Sequence, residues 1–422
     1  MTISALSDNL FPSIPQKFVN RTLAANPLPK FTRKRIDYVR RQREENMKRP
    51  LCSIVVDKKL TPKSGDPHDY ISTGPYWWPN PATPNGLPFI RKDGRINPSY
   101  NDGDNVRMNL MCKTVLQLSV LWYFDKDEEA AARAVAQLKS FFLDEATRMN
   151  PNFNYGQSIP GITDGRCYGL IEAYTGLADV LDAIVMLKNA PAMSAETYAA
   201  LVEWFRQFHT WLNTSKIGQK EFEAPNNHGL ACYVQAIKYA IFIDDLEAAK
   251  AYMPRAEKLI CESVAPDGSL PRELIRTKSF SYSTFATGMM TQLVMLGQIL
   301  DYDLMDPKRE SAAAIRRAVL FLCGFIDHPE AWKHEQIGGP INPNGLSNLL
   351  VRMAAATDDG HYFRATNKKA LQEIFSQIDD MERSRIDVTQ YSQTRDEHAP
   401  WLWLALIATV LELVLRWIWF KW

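Results

Sequence analysis

The chain is predicted to be all-α: about six to seven helical hairpins set around a ring, with long loops forming a cleft at one end. Three observations lead there. Beyond residue 100, apolar residues recur at helical spacing in almost every segment, and strand-like alternation is sparse. The connections alternate between short polar turns, "DKDE" and "IDDLE", and longer segments rich in Pro, Gly, Asn and aromatics, as in hairpins whose elaborate loops share one side. At 422 residues and 46% hydrophobic, the chain can bury a large core, enough for two average domains or one large ring.

Residues 1–50 read as an N-terminal extension with a basic first helix, and 51–422 as the ring domain. Within the extension, residues 30–49 ("KFTRKRIDYVRRQREENMKR") interleave acids with Ile36, Val39 and Met47, the pattern of a solvated helix rather than a nucleic-acid patch. Residues 66–98 are too rich in Pro, Gly and aromatics for regular structure. A loop of that length is usually functional, and Tyr76-Trp77-Trp78 would be costly to leave in water. Helical periodicity then marks 106–124, 128–149, 168–187, 195–212, 229–243, 246–261, 284–300, 309–325, 346–356, 369–381 and 401–417. In the last of these, the charge-free run 399–411 is short of the ~18 residues a spanning helix needs. Glu412 and Arg416 sit one turn apart and Pro400 suits a first turn, so a closing core helix is expected, with no membrane partner.

The formal charge of +1 and pI of 7.6 create no global field for nucleic acid, so a polyanionic ligand has to be met by a local basic cleft. Cys52, Cys112, Cys167, Cys232, Cys261 and Cys323 are scattered, without CxxC or zinc spacing, and are expected to be reduced thiols. No acidic cluster has calcium-loop spacing, so neither metal nor cofactor is expected. The start, "MTISALSDNLFPSIPQ", lacks a basic and then apolar leader; as written the chain is expected to be cytoplasmic. Oligomeric state is not legible.

Three stretches carry candidate chemistry. In "EAPNNHGLACY", Pro225 ends an extended segment and Asn227 is placed to cap the following helix, which makes His228 a bystander. The same geometry fits a site. Free N–H groups and the helix dipole favour a bound carboxylate and keep His228 neutral as a base, with Asn227 donating an amide hydrogen bond. "DGSLPRELIRTKSFSYS" clusters Arg272, Arg276 and Lys278 before Phe280 and Tyr282. That is either a surface charge run beside core aromatics, or an arginine lowering the pKa of a tyrosine acid/base. "NYGQSIPGITDGR" is polar and Gly-rich before a helix, and alone is only a loop.

Taken together, "DPHDYISTGPYWWPNP", "GLPFIRKDGRINP", "QSIPGI..GR", "NNHG", "DGSLPRELIRTKSFSYS" and "EHAPWLWLAL" resemble the alginate lyase-like superfamily of polysaccharide lyases, over roughly residues 50–410. The resemblance implies an (α/α) toroid and metal-independent β-elimination on 1,4-linked uronic acid polymers, an anionic polysaccharide substrate. It also implies Asn227, His228, Arg276 and Tyr282 at the catalytic centre, with Arg272 competing for the arginine role. Such enzymes are often periplasmic or secreted. Elimination removes the C5 proton of a uronate. Asn227, with Arg276 or His228, would bind the carboxylate and stabilise the enolate-like transition state. Tyr282 would protonate the leaving O4, and would also be the base when H5 and O4 share a face, as in mannuronate or glucuronate. For guluronate His228 would be the base. His68, Tyr70, Tyr76, Trp77 and Trp78 would supply stacking surfaces; Arg91, Gln157 and Arg166 would hold neighbouring sugars. The competing readings are a glycoside hydrolase, for which Asp164, Glu172 and Glu273 are available carboxylates, and an inactive polyuronate-binding protein.

Overall fold

The computed structural model describes residues 11–25, 28 and 30–356. The chain divides into two compact units, 1–362 and 363–422, and every described residue belongs to the first. The expected helices at 369–381 and 401–417 and the "EHAPWLWLAL" motif lie outside the described residues.

Helix follows helix. Asn105–Asp125 packs on Glu128–Phe142 and Leu177–Leu187, and Leu246–Ser263 packs on Asn227–Phe242 and Glu310–Cys323. Ser279–Ile299 lies against Asn227–Phe242, Glu310–Cys323 and Ser347–Ala356. This is the (α/α) toroid that the sequence predicts. Asn227–Phe242 is buried at every position except His228, the signature of a helix enclosed on all sides. Its half-buried position, His228, lies at one end of this interior helix, within the "NNHG" motif.

Several boundaries move, each for a local reason. The expected helix 128–149 stops at Phe142, and Thr147 turns back to donate its hydroxyl to Ser140 O. The expected helix 168–187 breaks at Gly176 into Leu170–Thr175 and Leu177–Leu187. A Cβ there would meet Asn109 Oδ1 at 3.1 Å and Cys112 Sγ at 3.5 Å, so close packing on Asn105–Asp125 favours glycine, a weak helix former. The helix expected from residue 284 starts at Ser279, anchored by Ser279 Oγ on Glu335 O and Phe280 N on Gln336 Oε1. Tyr282 therefore stands in a helical first turn. A short helix, Lys216–Phe222, capped by Ser215, was not expected and delivers Glu221.

The basic helix forms as Lys30–Lys48. Its Arg40 pairs with Asp125 and its Arg43 with Asp127 and Glu129, so these cations tie the extension to the first hairpin. Two small ribbons shape the loops: Ile71–Thr73 runs parallel to Tyr155–Ser158, and Trp77–Trp78 antiparallel to Ile90–Arg91. All six cysteines are free. Among the described residues no helix is long and apolar enough to cross a membrane.

Candidate active site

The helix of "NNHG" is capped by Asn226, not Asn227. Asn226 is extended and its side chain accepts from His228 N at 3.2 Å. Asn227 is the first helical residue, 1% exposed, and gives both its N–H (2.9 Å) and its Nδ2 (2.7 Å) to the two oxygens of Glu273. The helix end therefore does not present these N–H groups to a ligand. A carboxylate of the protein already occupies it. Gly229 completes the motif, because a Cβ there would stand 2.0 Å from Ala224 O.

His228 Nδ1 lies 2.7 Å from Glu221 Oε1, and Glu221 is fully buried. A carboxylate accepts, so Nδ1 is the donor of this pair and Nε2 is the nitrogen turned away from Glu221. Tyr168 stacks on the imidazole at 4.2 Å, and the Arg166 guanidinium lies 5.2 Å from the Tyr168 ring centre. One edge and one face of the imidazole are thus fixed by packing.

The second cluster forms around Tyr282. Arg276 Nη2 donates to Tyr282 Oη at 2.7 Å, and Tyr76 Oη lies 2.7 Å from the same oxygen. Asp93 holds Arg276 from the other side, accepting from Nε at 3.1 Å and Nη2 at 2.9 Å, and also from Thr277 N and Oγ1. Burial pushes the Asp93 carboxyl up, but Arg276, the Thr277 N–H and Arg91 outweigh it and hold it well below the usual carboxylate range. Gly94 (φ +70°) makes the approach possible, since a Cβ there would meet Thr277 Oγ1 at 2.4 Å. Geometry separates the two arginines: Arg272 is exposed and donates to Glu262 O, while Arg276 touches the phenol. The expected lowering of the tyrosine pKa is corrected. Burial, then Tyr76, raise the Tyr282 phenol well above its ordinary value, and the opposing pull of Arg276 loses.

The remaining sequence candidates separate. Tyr70, expected as a stacking surface, is fully buried, stacked on Phe153 at 4.1 Å, with its hydroxyl on Glu172; it is core because its ring fills the space under the loop. His68 is half-buried with Nδ1 2.6 Å from Arg148 O, and among the described residues no hydrogen bond or ring contact joins it to the Tyr282 cluster. Trp77 is half-buried, with Arg166 6.0 Å from its ring centre, and Trp78 donates to Arg95 O beneath Lys92. Arg91 is exposed and pairs with Asp93. Gln157 is buried at φ 48°, donating its N–H to Ser72 Oγ and accepting from Arg166 Nη2. Burial lowers the Arg166 pKa.

Of the carboxylates a hydrolase would need, Asp164 is exposed and paired with Lys63. Glu172 is buried under Tyr70 and Ser72, and Glu273 is buried on Asn227. No two of the three pair with each other. Among the described residues no cluster of His, Cys, Asp or Glu could hold a metal ion. Sequence reasoning missed Asp93, Glu221 and Tyr168 entirely, and gave Tyr76 only a stacking role. Nothing local marks the first two, although Gly94 beside Asp93 signals a tight turn.

The sequence signature of the alginate lyase family matches residues 53–332, a span containing both clusters. Among solved structures, an alginate lyase from Bacteroides ovatus is 33% identical with a TM-score of 0.72, covering 78% of this chain and 89% of its own. An alginate lyase from a Sphingomonas species is 15% identical with a TM-score of 0.48, covering 77% and 88% respectively. No curated protein sequence matches. With a family signature across most of the chain, and a solved relative similar over nearly its whole length, the chain belongs to the alginate lyase family and is a polysaccharide lyase.

Proposed function

We propose that this protein cleaves 1,4-linked uronic acid polymers by metal-independent β-elimination, leaving 4,5-unsaturated uronate ends. The observation that carries this is the convergence of four groups of the required chemistry. The Glu273 carboxylate grips Asn227, the chain neighbour of His228, and the Glu273 carbonyl accepts from Arg276 N, while Arg276 touches the Tyr282 hydroxyl. Arg276 spends Nε and Nη2 on Asp93 and Tyr282, and its Nη1 makes no hydrogen bond among the described residues. That nitrogen and the remaining Asn227 Nδ2 hydrogen would receive the uronate carboxylate, acidify C5–H and stabilise the enolate-like transition state.

Tyr282, kept protonated by burial, would give its proton to the leaving O4, with Arg276 facing the resulting negative charge. Where H5 lies on the same face as O4, Tyr282 would serve as both base and acid, its own proton passing first to solvent against the upward pull of burial, and H5 then passing through its oxygen to O4. Where it lies on the opposite face, Nε2 of His228 would take it. Trp77, Gln157 and Arg166 line the flank beside Tyr168 and would hold neighbouring sugars of the anionic chain. Incubation with defined mannuronan, guluronan and glucuronan, followed by ultraviolet absorbance, tests the reading. Absorbance rising with new chain ends supports elimination. New reducing ends without absorbance would make the enzyme a hydrolase, and binding without either would make it a binding protein.

A further inference from the structure

We propose that Glu273 is a positioning residue for the elimination, its two-point grip on Asn227 setting which atom of the amide faces the uronate carboxylate. The inference rests on the lyase reading above. A primary amide has two orientations of almost equal shape, related by a half-turn. One offers N–H to an anion; the other turns the wrong end to it. Glu273 breaks that tie. Its ionised carboxylate only accepts, and with Oε1 on Asn227 N at 2.9 Å and Oε2 on Nδ2 at 2.7 Å, the amide nitrogen is drawn to one side. One Nδ2 hydrogen is consumed, and the second makes no bond among the described residues.

The grip is rigid and dry. Glu273 is 2% exposed and Asn227 1%. Glu273 belongs to the turn Pro271–Leu274, and its own carbonyl accepts from Arg276 N at 3.1 Å. One residue therefore spaces the two carboxylate-binding groups, Asn227 through its side chain and Arg276 through its backbone. The groups facing the Glu273 carboxylate are Asn227, Arg276 and His228. Burial raises its carboxyl and these three pull it back, with the net effect upward. On acidification Glu273 therefore takes up a proton earlier than an exposed glutamate, and the protonated acid loses half of its grip.

The test compares Glu273→Gln and Glu273→Asp with the wild type, each checked for folding by circular dichroism and melting. A carboxamide of the same volume accepts at one atom only and turns a donor towards Asn227. For Glu273→Gln, kcat is expected to fall about 10²-fold, the effect of a small misplacement of a reacting group. KM should change less than about threefold, and the acidic limb of the kcat–pH profile should disappear. Glu273→Asp keeps the charge on a shorter stem and should keep the limb with a smaller loss. A folded Glu273→Gln enzyme with wild-type kcat and an unchanged acidic limb overturns the proposal. If that variant does not fold, an undiminished kcat in Glu273→Asp overturns it instead. The grip itself is read without turnover: the swap Asn227→Asp with Glu273→Gln should melt above either single variant, and additive melting losses would also overturn the proposal. Absence of unsaturated product from the wild type would instead sink the lyase reading, leaving the melting result to stand.

Discussion

The phenol oxygens of Tyr76 and Tyr282 stand 2.7 Å apart, and Arg276 donates to the second of them. Tyr76 comes from the Trp-rich loop and Tyr282 from the first turn of Ser279–Ile299, so the loop reaches the Tyr282 hydroxyl itself. Tyr282→Phe is expected to remove turnover by ~10²–10⁴-fold while polymer binding persists. Tyr76→Phe removes a neighbour of that hydroxyl and should cost about five- to tenfold, the worth of one hydrogen bond of about 1 kcal/mol. Initial rates from ultraviolet absorbance, beside a direct binding measurement, check both. Equal losses would show that the acid is shared between the two phenols.

The cap and the amide can be separated by substitution. A capping residue tolerates Asp, so if Asn227 were the cap, Asn227→Asp would leave melting unchanged. In the structure that carboxylate would instead face Glu273 in a buried site. Asn227→Asp is therefore expected to lose about 1–3 kcal/mol at neutral pH and at least ~100-fold in kcat/KM. Asn226→Ala should cost about 1 kcal/mol of stability with a far smaller change in rate. Thermal melting and steady-state kinetics on both variants decide; unchanged melting in Asn227→Asp would dissolve the Glu273 contact.

Charge neutralisation by Arg276, Asn227 and His228 predicts that turnover survives exhaustive chelation. Loss of activity with chelator, restored by a divalent cation, would assign the uronate carboxylate a different partner.

Asp182 supplies a pH-dependent prediction away from the site. Burial raises its carboxyl to about 6, with Lys238 and the Ser13 contact pulling it down. Its pKa in the folded chain thus exceeds the ordinary 3.8, so its ionisation costs nothing below about pH 4 and costs progressively more as pH rises through 6. Asp182→Asn, still able to accept from Ser13 N at 3.2 Å, should raise melting at pH 7–8 and leave it unchanged near pH 4. The gain is at most about 3 kcal/mol, at 1.36 per pKa unit. A Tm difference that does not vary with pH would contradict this.

Helical periodicity was enough to read Ala195–Thr214, Asn227–Phe242 and Leu246–Ser263 from the chain, because a repeat of 3.6 residues is a property of neighbours in sequence. The order of motifs was enough to read the family. Partnerships were not legible in this way. Arg272 and Arg276 are alike in composition and neighbourhood. What separates them is that one reaches Asp93, 183 positions away, while the other turns to Glu262 O. Asn226 and Asn227 are adjacent, yet one extended residue makes the first a cap and swings the second onto Glu273, 46 positions on. Tyr70 and Tyr76 lie in one aromatic loop, and packing buries the first on Phe153 while the second meets Tyr282. Local sequence encodes the period and ends of a helix. Which buried carboxylate meets which amide, ring or guanidinium depends on how the helices close around the ring, and such contacts become favourable only once closure has excluded water.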